Sequence, residues 1–248
     1  MQRHHVPTLG LRYWVALCVA SIFGANSGDF YAHDVGLGHI AGLPFLAIAL
    51  TVVLLIERID HFVHQAYYWM AIVIVRTAAT NFADYFSVDL RLPKIWVITT
   101  LTILLALALL LSWQLLWSGT KEKVGDQAPL LRADLAYWFC MFVAGTLGTV
   151  IGDYCSHDLH LGDAWASIVL SIVLLGLFAI GRSWLPYSLP LYWLAVVMIR
   201  AAGTVVGDFF AGRNVLGLPL STLMTGLLFV GLLLFWKESS NKSVAAAL

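Results

Sequence analysis

The chain has 248 residues, 60% apolar and 11% charged, with 14 basic and 14 acidic side chains that cancel. A soluble domain is nearer half apolar and a quarter charged, so the composition argues against a soluble globular domain. With no extended basic run, it also argues against a nucleic-acid binder. Cys18, Cys140 and Cys155 form no CxxC pair, which leaves no disulfide framework and no thiolate metal site.

Eight apolar blocks follow one another at residues 11–30, 43–56, 67–86, 96–117, 135–151, 165–180, 191–206 and 216–236. About 20 apolar residues cross the hydrocarbon as a helix, and somewhat shorter spans also occur. The expected fold class is therefore an all-α integral membrane protein with eight transmembrane helices and no soluble domain. Residues 1–11 are short and basic, and the first block is followed by seven more, so it reads as a first span and not as a cleaved leader. Many of the ten Trp and nine Tyr fall at block ends, where an interfacial aromatic belt is expected.

Blocks one, three, five and seven carry one motif. Tyr-Trp pairs stand at Tyr13-Trp14, Tyr68-Trp69, Tyr137-Trp138 and Tyr192-Trp193, and fifteen residues after each Trp comes an aspartate: Asp29, Asp84, Asp153 and Asp208. Small residues precede each one by one and five places, as Gly24/Gly28, Ala79/Ala83, Gly148/Gly152 and Gly203/Gly207. Copies one and three are offset by 124 residues, as are copies two and four. The odd copies share His33-Asp34 and His157-Asp158 after the aspartate; the even copies share Arg76 and Arg200 eight residues before it. Each copy is one helical hairpin, a motif helix followed by a plainer one. The expectation is four parallel-repeat hairpins in two pseudo-twofold-related halves, residues 1–124 and 125–248, joined by the polar segment 118–132.

Positive charge orients the hairpins. Arg3, Arg12, Arg58, Lys121, Lys123, Arg132, Arg182, Lys237 and Lys242 fall at the termini and between hairpins, against Arg91, Lys94 and Arg213 in the turns within them. Both termini are expected in the cytoplasm.

The tandem YW…GxxxGD-[YF]…LG hairpins resemble a bacterial family of small integral membrane proteins built from tandem short repeats of unknown function. The resemblance covers all four copies and implies a multi-pass protein of the bacterial inner membrane, but it implies no activity. Two copies depart from the pattern: the second has Ala79 and Ala83, and the fourth has Gly212-Arg213 where the odd copies have His-Asp.

The aspartates set the functional question. Small residues four apart let two helices approach in lipid, and packing accounts for the glycines. A carboxylate within the hydrocarbon costs a few kcal/mol and faces protein or water. Fifteen residues of helix rise about 22 Å, so aspartates above inner-interface tryptophans would reach the outer part of the core and form a ring. Thr80, Thr149 and Thr204 lie near enough in sequence to offer it hydroxyls. A helix end snorkelling to the outer surface is the plainer alternative for the aspartates, and an arginine bonded to backbone or to a neighbouring Asp is the plainer one for Arg76 and Arg200. Together the four aspartates and two arginines leave a formal charge of −2, which one divalent cation or two protons would cancel.

Three functions remain open. The first is a transporter or channel for a small cation, with Asp29, Asp84, Asp153, Asp208, Arg76 and Arg200 lining the path. Here His33, Asp34, His157 and Asp158 would be ligands for a divalent metal ion such as Mn²⁺ or Zn²⁺ at the outer mouth. The second is a membrane scaffold or accessory subunit in which Asp and Arg only lock helix packing. The third, a haem- or quinone-binding enzyme, has the least support, because no facing histidines lie at membrane depth and no Walker A, HExxH or GxSxG sequence occurs. The expected partners are the lipid bilayer and a small cation, with no nucleic acid; nothing in the pattern opposes a homo-oligomer. His61 and His64 have no counterpart in the second half and read as interfacial.

Overall fold

A computed structural model describes residues 6–7, 9–60, 65–116, 133–181 and 188–245, with side chains described to residue 112 in the fourth helix and to 234 in the eighth. The described residues are all-helical. They form α1 (Leu11–Asp29), α2 (Leu43–Ile59), α3 (Gln65–Asp84), α4 (Lys94–Leu116), α5 (Leu135–Asp153), α6 (Gly162–Gly181), α7 (Leu189–Ala211) and α8 (Leu218–Ala245). The joint at 118–132, His61, His64 and the basic residues Arg3, Lys121, Lys123, Arg132 and Arg182 lie outside the described residues, as do the side chains of Lys237 and Lys242.

Proline and acidic caps mark several of the helix starts. Pro44, Pro190 and Pro219 sit in the first turns of α2, α7 and α8, where the missing N–H has no intrahelical partner to lose. Asp134 caps α5, its carboxylate accepting the Tyr137 backbone N–H at 3.0 Å. At the C-terminal ends of α1, α3 and α5 the chain widens into a π-helical turn directly after the aspartate, over Phe30–Asp34, Tyr85–Asp89 and Tyr154–Asp158. The i→i+5 bonds Val35–Phe30, Leu90–Tyr85 and Leu159–Tyr154 close these turns at 2.9–3.0 Å. Only α7 lacks one, running on to Ala211 and stopping at Gly212.

The helices divide into two shells. The motif helices α1, α3, α5 and α7 pack in chain order and close on themselves, α1 against α3, α3 against α5, α5 against α7 and α7 against α1. Each plain helix packs chiefly on the motif helix that follows it: α2 on α3, α4 on α5, α6 on α7, and α8 back on α1. The inner α5 and α7 bury 72% of their apolar window against 17% for the outer α4 and α6, which separates core helices from helices that turn large aliphatic side chains outward. A surface so rich in exposed Leu, Ile and Val is one that lipid covers. Four helical segments are long and apolar enough to cross a membrane, Lys94–Ser112, Leu135–Asp158, Gly162–Gly181 and Leu189–Ala211. The chain is thus a helical protein built to lie in a bilayer.

The repeated small residues explain the inner shell. The residue five places before each aspartate meets the residue eight places before the next one. A Cβ at Gly24 would collide with Arg76 Cβ, one at Gly148 would lie 2.5 Å from Arg200 Cβ, and one at Gly203 would lie 2.5 Å from Ser21 Oγ. The second copy departs to Ala79 because its neighbour is Gly145, which leaves room for the methyl group. The residue just before the aspartate repeats the arrangement one turn higher: Gly28 faces Thr80, Gly152 faces Thr204, and Gly207 faces Asn26.

Candidate functional site

Three polar layers are stacked within the inner shell. The innermost is a closed ring of tyrosine hydroxyls. Tyr13 bonds Tyr68 at 3.0 Å, Tyr68 bonds Tyr137 at 2.6 Å, Tyr137 bonds Tyr192 at 2.9 Å, and Tyr192 bonds Tyr13 at 2.7 Å. Four hydroxyls share four bonds, so each hydrogen is used once within the ring. Each tryptophan packs against the tyrosine of the preceding copy at ring-centroid distances of 5.6–5.7 Å: Trp69 on Tyr13, Trp138 on Tyr68, Trp193 on Tyr137 and Trp14 on Tyr192. These eight aromatic residues are buried. The interfacial belt expected for them is corrected here: the pairs face the middle of the bundle, because the Tyr hydroxyl finds its partners there and not in water.

The middle layer holds the arginines. Eight places before the four aspartates stand Ser21, Arg76, Gly145 and Arg200, so each large side chain alternates with a small one. Both arginines are fully buried. Arg200 reaches the other three motif helices: Nε donates to Thr149 Oγ1 at 2.8 Å, Nη1 to the Ser21 carbonyl at 2.8 Å, and Nη2 to Thr80 Oγ1. Of the threonines that sequence spacing offered to the aspartates, Thr80 and Thr149 accept from this arginine instead, and Thr204 donates to Thr149 at 3.5 Å. Arg76 is unlike Arg200. Its Nη2 meets only the Met141 sulfur, at 3.8 Å, and its Nε and Nη1 have no hydrogen-bond partner among the described residues.

The outermost layer is the four aspartates, all half-buried. They lie within electrostatic reach of one another and of Arg200. None of their carboxylates takes part in a hydrogen bond or ion pair among the described residues. Arg200 therefore acts on them through its field and not through contact.

The outer rim differs from the metal-ligand pattern. His33, Asp34, His157 and Asp158 are exposed, and they do not gather. Asp158 pairs with Lys94 at 2.5 Å, and His157 Nδ1 donates to its own helix at the Asp153 carbonyl, 3.2 Å away. His33 lies edge-on against His39, whose Nδ1 meets Asp89 at 3.0 Å. Among the described residues no group of three or more His, Cys, Asp or Glu is placed to hold a metal ion. His157 stays beside Asp153, but it bonds the backbone carbonyl there and not the half-buried carboxylate.

Asp89 and His39 were not singled out by the sequence. A signal existed: Asp34, Asp89 and Asp158 all stand five places after the motif aspartate, at the end of the π-helical turn.

Residues 136–182 and 191–241 match the model of a family described as Repeat of Unknown Function (DUF347). No curated protein matches the chain, and neither does any solved structure. The two matched stretches are the third and fourth hairpins, and the first two carry the same Tyr-Trp and aspartate spacing. The third and fourth hairpins thus match a tandem-repeat family of unknown function.

Proposed function

We propose that the chain transports or conducts a small cation across the bacterial inner membrane, with Asp29, Asp84, Asp153 and Asp208 as its binding ring. In this reading eight helices span the bilayer, both termini are cytoplasmic, and the alternation of Ser21, Arg76, Gly145 and Arg200 reflects a pseudo-twofold relation between halves. The observation that carries the reading is the state of the carboxylates. The four lie within electrostatic reach of one another at one end of the motif helices, and among the described residues none takes part in a hydrogen bond or ion pair. Carboxylates brought together in a membrane require protons or a cation. A scaffold would spend them on arginine or threonine, whereas here both threonine acceptors are committed to Arg200.

The bonded tyrosine ring and the Arg200 layer lie on one side of the carboxylates along the motif helices. That arrangement suits a site loaded from outside and opened inward by parting the motif helices. Oxygen ligands without imidazole suit a hard cation such as Na⁺, Ca²⁺ or Mn²⁺.

The scaffold reading keeps one observation in its favour. Arg200 ties α1, α3 and α5 to α7, as a packing lock would. Uptake of ²²Na⁺, ⁴⁵Ca²⁺ and ⁵⁴Mn²⁺ into proteoliposomes separates the two. The transport reading expects uptake of at least one ion by the wild type and its loss in Asp84→Asn and in Asp208→Asn. Undiminished uptake in both variants, or no uptake of any of the three by the wild type, sinks it.

A further inference from the structure

We propose that Arg76 holds a small, weakly hydrated monovalent anion of the halide class between the arginine layer and the tyrosine ring. Arg76 is fully buried, and two of its three nitrogens have no acceptor among the described residues. The third meets only a thioether, which is a weak acceptor. Among the described residues no carboxylate forms an ion pair with it. A buried guanidinium without a counter-charge is penalised by several kcal/mol, and it sheds that penalty by acquiring an anion.

The chemistry of the site narrows the ligand. Arg200 already donates to Thr149, Ser21 and Thr80, so Arg76 is the arginine with unfilled donors, and an anion of single charge matches its one guanidinium. The tyrosine hydrogens are used within their own ring, so only Nε and Nη1 donate. Leu17, Ile72, Val196 and Met141 stand one turn above the tyrosines on the four motif helices, and all four are fully buried. A site with two donors and apolar neighbours cannot replace the water shell of sulfate or phosphate. It can replace that of bromide, chloride or nitrate. The aspartates have no role in this site, which lies on the far side of Arg200 from them.

The test uses the full-length protein in detergent, with bromide exchanged for gluconate at constant ionic strength and thermal unfolding as the readout. A ligand of the native state raises the melting temperature and saturates. The expected result is a saturable rise in the wild type that Arg76→Gln abolishes. In Arg76→Lys, which keeps the charge but loses the paired donors, the midpoint should shift about tenfold upward. Asp84→Asn should keep the full bromide response, so failure here is distinguishable from failure of the cation reading. No saturable rise in the wild type, an equal rise in Arg76→Gln, an unchanged midpoint in Arg76→Lys, or a lost response in Asp84→Asn each overturns the site. If Arg76→Gln does not fold, the Arg76→Lys midpoint decides, supported by an anomalous bromide peak beside Arg76 in crystals grown in bromide.

Discussion

Gly24 and Gly148 are held at their positions by an arginine on the neighbouring helix. Each occupies the place where a methyl group would meet the root of Arg76 or Arg200, and backbone as well as side chain stands in the way: Val197 O lies 2.7 Å from the Cβ position of residue 148. Overpacking of this kind costs about 1–3 kcal/mol. Gly24→Ala and Gly148→Ala are therefore expected to lower the thermal midpoint in detergent. Gly176→Ala, with nothing within 4 Å, should be neutral or stabilise by up to about 1 kcal/mol. Equal effects at Gly148 and Gly176 would mean that the close approach of α5 and α7 is wrong. The same logic accounts for Ala79, a departure from the repeat that its own neighbour, Gly145, permits.

A motif helix carries its tyrosine, its arginine position and its aspartate at intervals of eight residues, about 12 Å apart along the axis. Sequence spacing made much of this legible. The Tyr-Trp to Asp interval marked four helices, and the 124-residue offset marked the alternation of arginines. What it could not show was where the tyrosines point, because a Tyr near a helix end has the same spacing whether it faces lipid headgroups or three other tyrosines. Nor could it show the π-helical turn after Asp29, Asp84 and Asp153, or that Asp158 pairs with Lys94 and His157 bonds its own backbone. The tyrosine ring makes a prediction at this scale. Removing one hydroxyl breaks two of the four bonds and costs about 1–3 kcal/mol. Tyr13 and Tyr68 share a bond, whereas Tyr13 and Tyr137 share none. Tyr13→Phe with Tyr68→Phe should therefore cost less than the sum of the single variants, and a double-mutant cycle on thermal unfolding measures the difference. Strict additivity of the adjacent pair would contradict a bonded ring.

Closure of the inner shell is a property of the whole chain. α8 returns to α1, where Asn26 Nδ2 donates to Ser221 Oγ at 2.7 Å and Thr222 Oγ1 donates to the Asn26 carbonyl at 3.3 Å. Each half therefore needs the other at two seams, α3 with α5 and α7 with α1. Residues 1–124 and 125–248 expressed as separate chains should assemble in the membrane and copurify, since both seams form between described helices. Failure to copurify when both halves are inserted would show that the seams do not hold without the joint.

The shared carboxylate ring is the claim on which the functional account stands, and cation-dependent thermal unfolding of the purified full-length protein tests it most directly. Na⁺, K⁺, Ca²⁺ and Mn²⁺ are titrated in turn at constant ionic strength. The account predicts that at least one raises the melting temperature saturably, that Asp29→Asn, Asp84→Asn, Asp153→Asn and Asp208→Asn each weaken the response, and that His33→Ala with His157→Ala leaves it in place. No saturable response to any of the four, or a full response in every Asn variant, would contradict it.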